Sequence, residues 1–171
     1  SRNSNLPTRS QVDGINVTRI LLKERNYYWQ LIAIIKFTAF FLLRRKDFQI
    51  VHLHGYSMKS ALFVFLSKIF QKKIIIKMTS AGHDDPIAMK RRGFLLNFFF
   101  SRGDTNVAVS PMLEKLYKQS QLPLDCLVKI PNGVDKNRFF PVPYKEKVEL
   151  RNQLGLPNKM KLFLFVGHFS K

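Results

Sequence analysis

Strand-length apolar runs alternate with helix-length segments from residue 49 to residue 130, and this alternation limits the fold more than any other feature of the chain. Residues 49–54 (QIVHLH) read as a strand, 60–70 (SALFVFLSKIF) as an apolar helix closed by Gln71, Lys72 and Lys73, and 73–79 (KIIIKMT) as a second strand. Asp85 and Pro86 form a helix start, with the carboxylate capping free amides and proline at the first helical position. That helix runs toward Ser101. Residues 106–110 (NVAVS) are a third strand, Ser110 and Pro111 repeat the start for a helix reaching about Gln119, and 127–130 are a fourth strand. Parallel neighbours need crossovers of this length, so the pattern predicts an α/β fold with a parallel, doubly wound sheet.

The flanks are less regular. Residues 1–14 are polar and read as a loop or frayed start, whereas 15–22 alternate enough for a short strand. Residues 27–43 are apolar almost all round, interrupted by Gln30 and Lys36 and followed by Arg44, Arg45 and Lys46. Seventeen residues is the short limit for crossing a bilayer core, so a buried or interfacial helix is the reading preferred over a span. Beyond Pro131 a linker with aromatic anchors Phe139 and Phe140 leads to a short helix at 145–154, ended by Gly155 and Pro157. Residues 161–167 (KLFLFVG) read as a strand opening a new unit, and the chain stops four residues later, which reads as truncation. The domain reading is therefore 1–141, then 142–171.

The formal net charge is +18, from 29 Lys and Arg against 11 Asp and Glu, and predicts a polyanionic partner. Nucleic acid and anionic lipid both qualify. The 16 Phe and long apolar runs favour a membrane surface, while zinc-ligand spacing, an RNA-recognition aromatic signature and a basic heptad helix are all missing. A basic nucleic-acid-binding module is the alternative reading. The single cysteine, Cys126, excludes an intramolecular disulfide and fits a reducing compartment. No cleavable signal peptide is visible, because residues 1–10 lack an apolar core.

In an open parallel sheet, ligands sit beyond the carboxyl ends of the strands. Three loops fall there: 54–57, 80–85 and 132–135. In the first, Gly55 permits a sharp turn beside His54. His52 and His54 share a strand face, but nothing singles out a third ligand, so no metal is expected and His54 is read as pocket-lining or structural. The second loop, TSAGHDDP, holds His83, Asp84 and Asp85, where a ring nitrogen or carboxylate can orient a hydroxyl or accept its proton. For Asp85 a helix cap is the preferred role; for His83 and Asp84, catalysis and turn structure both stay open.

The third loop, IPNGVD, is followed by Arg138, Phe139 and Pro141. It resembles the I-P-N-G-V-D with following F-x-P that ends the N-terminal domain of family 4 glycosyltransferases. Other pieces follow in that family's order: QIVHLHG, NVAVS, RNQLGLP and LFVG. The resemblance runs from Phe48 to the end. It implies a Rossmann-like sheet flanked by helices, the N-terminal half of a GT-B fold, with the first strand of the second domain at the C-terminus. It also implies sugar transfer from a nucleotide-sugar donor, which is substrate and not cofactor, to a saccharide or lipid-linked acceptor. Retention of anomeric configuration and a role in surface polysaccharide or glycan biosynthesis are further implications. His83 and Asp84 are then the catalytic candidates, and His54, Gly55, Gly82, Asn132, Gly133 and Gly167 the substrate-binding ones.

Two departures stand out. Ala81 occupies the position where many relatives carry a His before Gly, and His168 the place of a phosphate-meeting Arg. The Gly-rich loop of the family is not seen upstream of Ser1, and its paired glutamates would lie beyond Lys171. The fragment alone is expected to be inactive, and a degenerate transferase serving as a membrane or partner-binding domain is a third reading. The basic residues at 44–46, 72–73 and 90–92 are expected to form a rim that docks peripherally on the cytoplasmic membrane face.

Overall fold

The computed structural model describes residues 6–20 and 26–166. Two compact units divide at Asn132 and Gly133. In the first, a hairpin of β1 (Arg9–Val12) and β2 (Ile15–Thr18) precedes helix α1 (Tyr27–Arg44). Then come β3 (Ile50–His54), α2 (Met58–Ile69), β4 (Lys73–Met78), α3 (Pro86–Arg92), α4 (Phe94–Phe100), β5 (Thr105–Ala108), α5 (Pro111–Gln119) and β6 (Leu127–Lys129). Strands β3 to β6 form one parallel sheet in sequential order.

The core follows from strand alternation. Ile74, Ile76 and Met78 of β4 and Ala108 of β5 point to one face, where they join Val64 of α2, Met89 of α3, Phe100 of α4 and Tyr117 of α5 in a buried cluster. On the opposite face His52 and His54 are exposed, while Ile75 and Lys77 are half-buried. Among the described residues α2 to α5 all share one face, which differs from the double winding, with helices on both faces, expected from the sequence.

Two sequence-based expectations need correction here. The stretch 1–14 was expected to be loop, yet Arg9–Val12 pairs antiparallel with Ile15–Thr18. The reason is the two-residue Asp13-Gly14 turn, both residues at positive φ (49° and 79°), which matches the right-handed twist of paired strands. The single helix expected from Asp85 to Ser101 is two helices, because Gly93 takes φ 127° and ψ 162°, a conformation that stops α3 and redirects the chain into α4.

Helix α1 starts at the Asn26 cap, whose side chain accepts from the Tyr28 amide at 3.0 Å. It buries Ala33 and Phe41, the latter against Phe48, Phe63 and Phe70, and leaves Tyr27, Leu31, Ile35 and Leu43 exposed. No described helix is long and apolar enough to cross a membrane.

The second unit contains α6 (Tyr144–Gln153), closed where the Leu156 amide donates to the Arg151 carbonyl around Gly155 at φ 65°. Arg151 then donates to the carbonyls of Pro157, Asn158 and Met160, tying the following turn to the helix. The run read as a strand at 161–167 is described as far as Val166. Residues 161–166 take no strand conformation in a described sheet, and Phe163 and Leu164 are exposed.

Candidate functional site

The first two candidate loops meet at the carboxyl ends of β3 and β4. Gly55, at φ 74°, turns the chain out of β3 and donates its amide to the Lys77 carbonyl at 2.9 Å. A Cβ on Gly55 would stand 3.3 Å from Asp84 Oδ2 and 3.7 Å from Thr79 Oγ1. Glycine there allows the HGYS loop to lie directly against the TSAGHDDP loop.

Asp84 is 3% exposed and faces inward. Its carboxylate accepts from the Thr79 amide, the Thr79 hydroxyl at 2.7 Å and the Ser80 amide at 2.7 Å. Asp85 is 1% exposed; it accepts from the Gly82 amide at 2.6 Å and the Ala88 amide at 2.9 Å, so it is the α3 cap and also pins Gly82. Directly before them His83 donates its amide to the Ser80 carbonyl and is itself exposed. The loop is therefore braced from beneath by two carboxylates and presents the Ala81 and His83 side chains outward.

Neighbouring groups support this brace. Tyr56 packs edge-on against Phe100 at 5.0 Å, and burial pushes its phenol well above the usual range. Among the described residues its hydroxyl has no hydrogen-bond partner. Ser57 and Ser60 cap α2 reciprocally. His52 and His54 lie with ring centroids 4.4 Å apart, as their two-residue spacing requires. Partial burial, then the charges of His54 and Lys77, hold His52 below the ordinary imidazole range. Among the described residues no third His, Cys, Asp or Glu joins them in a metal-binding group.

Asn132 and Gly133 leave the sheet after β6, where the Ile130 amide donates to the Ala108 carbonyl. Asn132 ends the first unit and Gly133 begins the second. The turn that follows is built by Asp135, whose carboxylate accepts from the Asn137 amide and whose carbonyl accepts from the Arg138 and Phe139 amides. Gly167 lies outside the described residues.

One feature escaped the sequence reading. Ala81 and Gly82 open onto a pocket of about 670 Å³ between α3 and α5, lined also by Arg91 and Arg92. The spacing of Ile87 and Arg91 on one helical face was the available signal, but the partner wall from α5 is visible only in the fold.

A parallel sheet flanked by helices is the Rossmann-like architecture of the N-terminal half of the GT-B fold. The chain belongs to Glycosyltransferase Family 4, whose family model matches residues 2–138. It is similar to the alpha-galactosylglucosyldiacylglycerol synthase of Streptococcus pneumoniae (strain ATCC BAA-255 / R6), at 32% identity over 73 residues, 43% of this chain and 20% of the relative. Among solved structures it is similar to Anabaena Alr3699/HepE in complex with UDP, with TM-score 0.54 and 16% identity over 79% of this chain and 36% of that one. The HepE complex with UDP and glucose gives TM-score 0.51 and 18% identity over 80% and 36%. The chain thus spans about a fifth of the curated relative and about a third of the solved chains.

Proposed function

We propose that this chain is the acceptor-side domain of a glycosyltransferase that moves a sugar from a nucleotide-sugar to a saccharide or lipid-linked acceptor. The observation that carries the reading is the Asp84 brace, which fixes the Ser80–Asp85 loop closely beside Gly55 at the carboxyl edge of the sheet. In this reading His83 faces the acceptor and orients its hydroxyl, Asp84 fixes the loop that carries His83, and the Gly55 and Gly82 backbones let the sugar approach closely. Asn132 and Gly133 pass the chain toward a donor-binding domain that holds the nucleotide. Relatives that bind UDP and a family name built on sugar transfer support the donor class.

Retention of configuration, a role in surface polysaccharide or glycan synthesis, and peripheral attachment to the cytoplasmic membrane face belong to the same proposal. Support for attachment comes from the +18 charge and from cations laid on aromatic rings: Arg45 over Phe70 at 5.3 Å, Lys72 over Phe48 at 5.6 Å and Arg102 over Phe98 at 4.7 Å.

The test is turnover by the full-length protein with a panel of UDP-sugars and membrane-extracted acceptors. Transfer that falls at least about a hundredfold in His83→Ala fits a positioning group at the reacting hydroxyl. No transfer by the full-length protein with any donor would sink the proposal. The 171-residue chain by itself is expected to show none.

A further inference from the structure

We infer that the pocket between α3 and α5 holds the phosphate of a lipid-phosphate acceptor, which deepens and rests on the transferase reading above. Its walls combine two chemistries. Arg91 and Arg92 supply guanidinium groups, and Ile87, Met112 and Leu116 supply an apolar surface. Met112 is 53% exposed, a large apolar side chain at the edge of a cationic pocket.

Among the described residues the arginines have no ion-paired acidic partner, unlike Lys68, Lys118 and Lys129, which are ion-paired with Asp104 or Glu114. One carboxylate does line the pocket, that of Asp85, but its oxygens are engaged by the Gly82 and Ala88 amides. Two neighbouring exposed guanidinium groups therefore line an open pocket with no carboxylate among the described residues committed to them. A phosphate supplies the matching charge and the bidentate geometry that guanidinium favours.

The apolar wall decides the kind of phosphate. A free anion or a nucleotide phosphate gains nothing from Ile87, Met112 and Leu116, whereas an amphiphile buries the first carbons of its chain there. Location decides its relation to the reaction. Gly82 belongs both to the pocket wall and to the loop that carries His83, so the bound phosphate sits beside the proposed acceptor site. The substrate class is thus a glycolipid whose phosphate links sugar to hydrocarbon.

The experiment is binding of the full-length protein to phosphatidylcholine vesicles doped with a polyprenyl phosphate, compared with vesicles holding the matching polyprenol and with vesicles of phosphatidylserine at equal surface charge. The expected result is binding at least about tenfold tighter to the polyprenyl phosphate than to either comparison. Arg91→Gln with Arg92→Gln should abolish that preference, and Leu116→Gln should reduce it. Arg91→Lys with Arg92→Lys, which keeps the charge and loses the fork, should weaken it partially, and circular dichroism checks the fold of each variant. Equal binding to the phosphatidylserine vesicles, a preference that survives in the folded double glutamine variant, or displacement by millimolar inorganic phosphate would each overturn the inference. The readout is binding, so absence of sugar transfer with the preference intact counts against the transferase reading and leaves the pocket standing.

Discussion

Asp84 accepts the Thr79 hydroxyl at 2.7 Å, and through that bond the last residue turning out of β4 is locked to the loop that precedes α3. The same carboxylate gathers the Thr79 and Ser80 amides, so three donors converge on one buried acceptor. The loop's shape depends on that convergence.

Replacing Asp84 by Ala leaves these part-buried donors to seek other partners. A loss of about 1–3 kcal/mol in unfolding free energy is expected, measured by urea denaturation. Asp84→Asn keeps the size of the side chain and should recover part of that loss. Equal stability of Asp84→Ala and the parent protein would contradict the brace.

Gly55 tests the same contact from the other side. A methyl group at φ 74° is strained by about 1–2 kcal/mol, and it would stand 3.3 Å from Asp84 Oδ2. Gly55→Ala should therefore lower the melting temperature, and its effect should be smaller than additive when combined with Asp84→Ala. Full additivity in that double-mutant cycle would separate the two loops.

His52 gives a pH prediction. Its folded-state pKa lies below the ordinary 6.5, chiefly through partial burial, so the unfolded chain takes up its proton first as pH falls. The stability contribution is complete above about pH 6.5 and declines as pH drops from there through the lowered folded pKa. A urea midpoint that falls between pH 7.5 and pH 5.5, with a smaller fall in His52→Gln, is the expected outcome. An unchanged fall in the variant would assign it to other groups.

Tyr117 and Asn106 form a buried polar pair across α5 and β5. The Tyr117 hydroxyl accepts from Asn106 Nδ2 at 3.2 Å and donates to the Pro123 carbonyl at 3.2 Å. Its pKa is pushed up to about 12, first by burial. Tyr117→Phe leaves the Asn106 amide without this acceptor, in a side chain whose Oδ1 has no partner among the described residues. A loss of about 1–3 kcal/mol is expected by chemical denaturation. A Tyr117→Phe protein as stable as the parent would show that the pair contributes nothing net.

Much of the fold was legible because strand and helix periods are local. The runs around Val51, Ile75 and Val107 are rich in apolar residues, and Pro86 and Pro111 mark helix starts that the structure reproduces with Asp85 and Ser110 as caps. The hairpin at Asp13-Gly14 was also written in the sequence as an Asp-Gly turn, but its short polar strands hid it among loop-like residues. Gly93 was overlooked because a glycine within a helical pattern reads as tolerated until its backbone angles are known.

The sequence by itself determined the parallel α/β sheet, two loops at its carboxyl edge and the family to which the chain belongs, because periodicity and motif order need only near neighbours along the chain. Only the tertiary structure decided that Asp84 turns inward to Thr79 and Ser80 while His83 faces out. It alone set Arg91 and Arg92 opposite Met112 and Leu116. Burial and long-range contact arise when distant segments pack together, and no local pattern fixes which atoms will then meet.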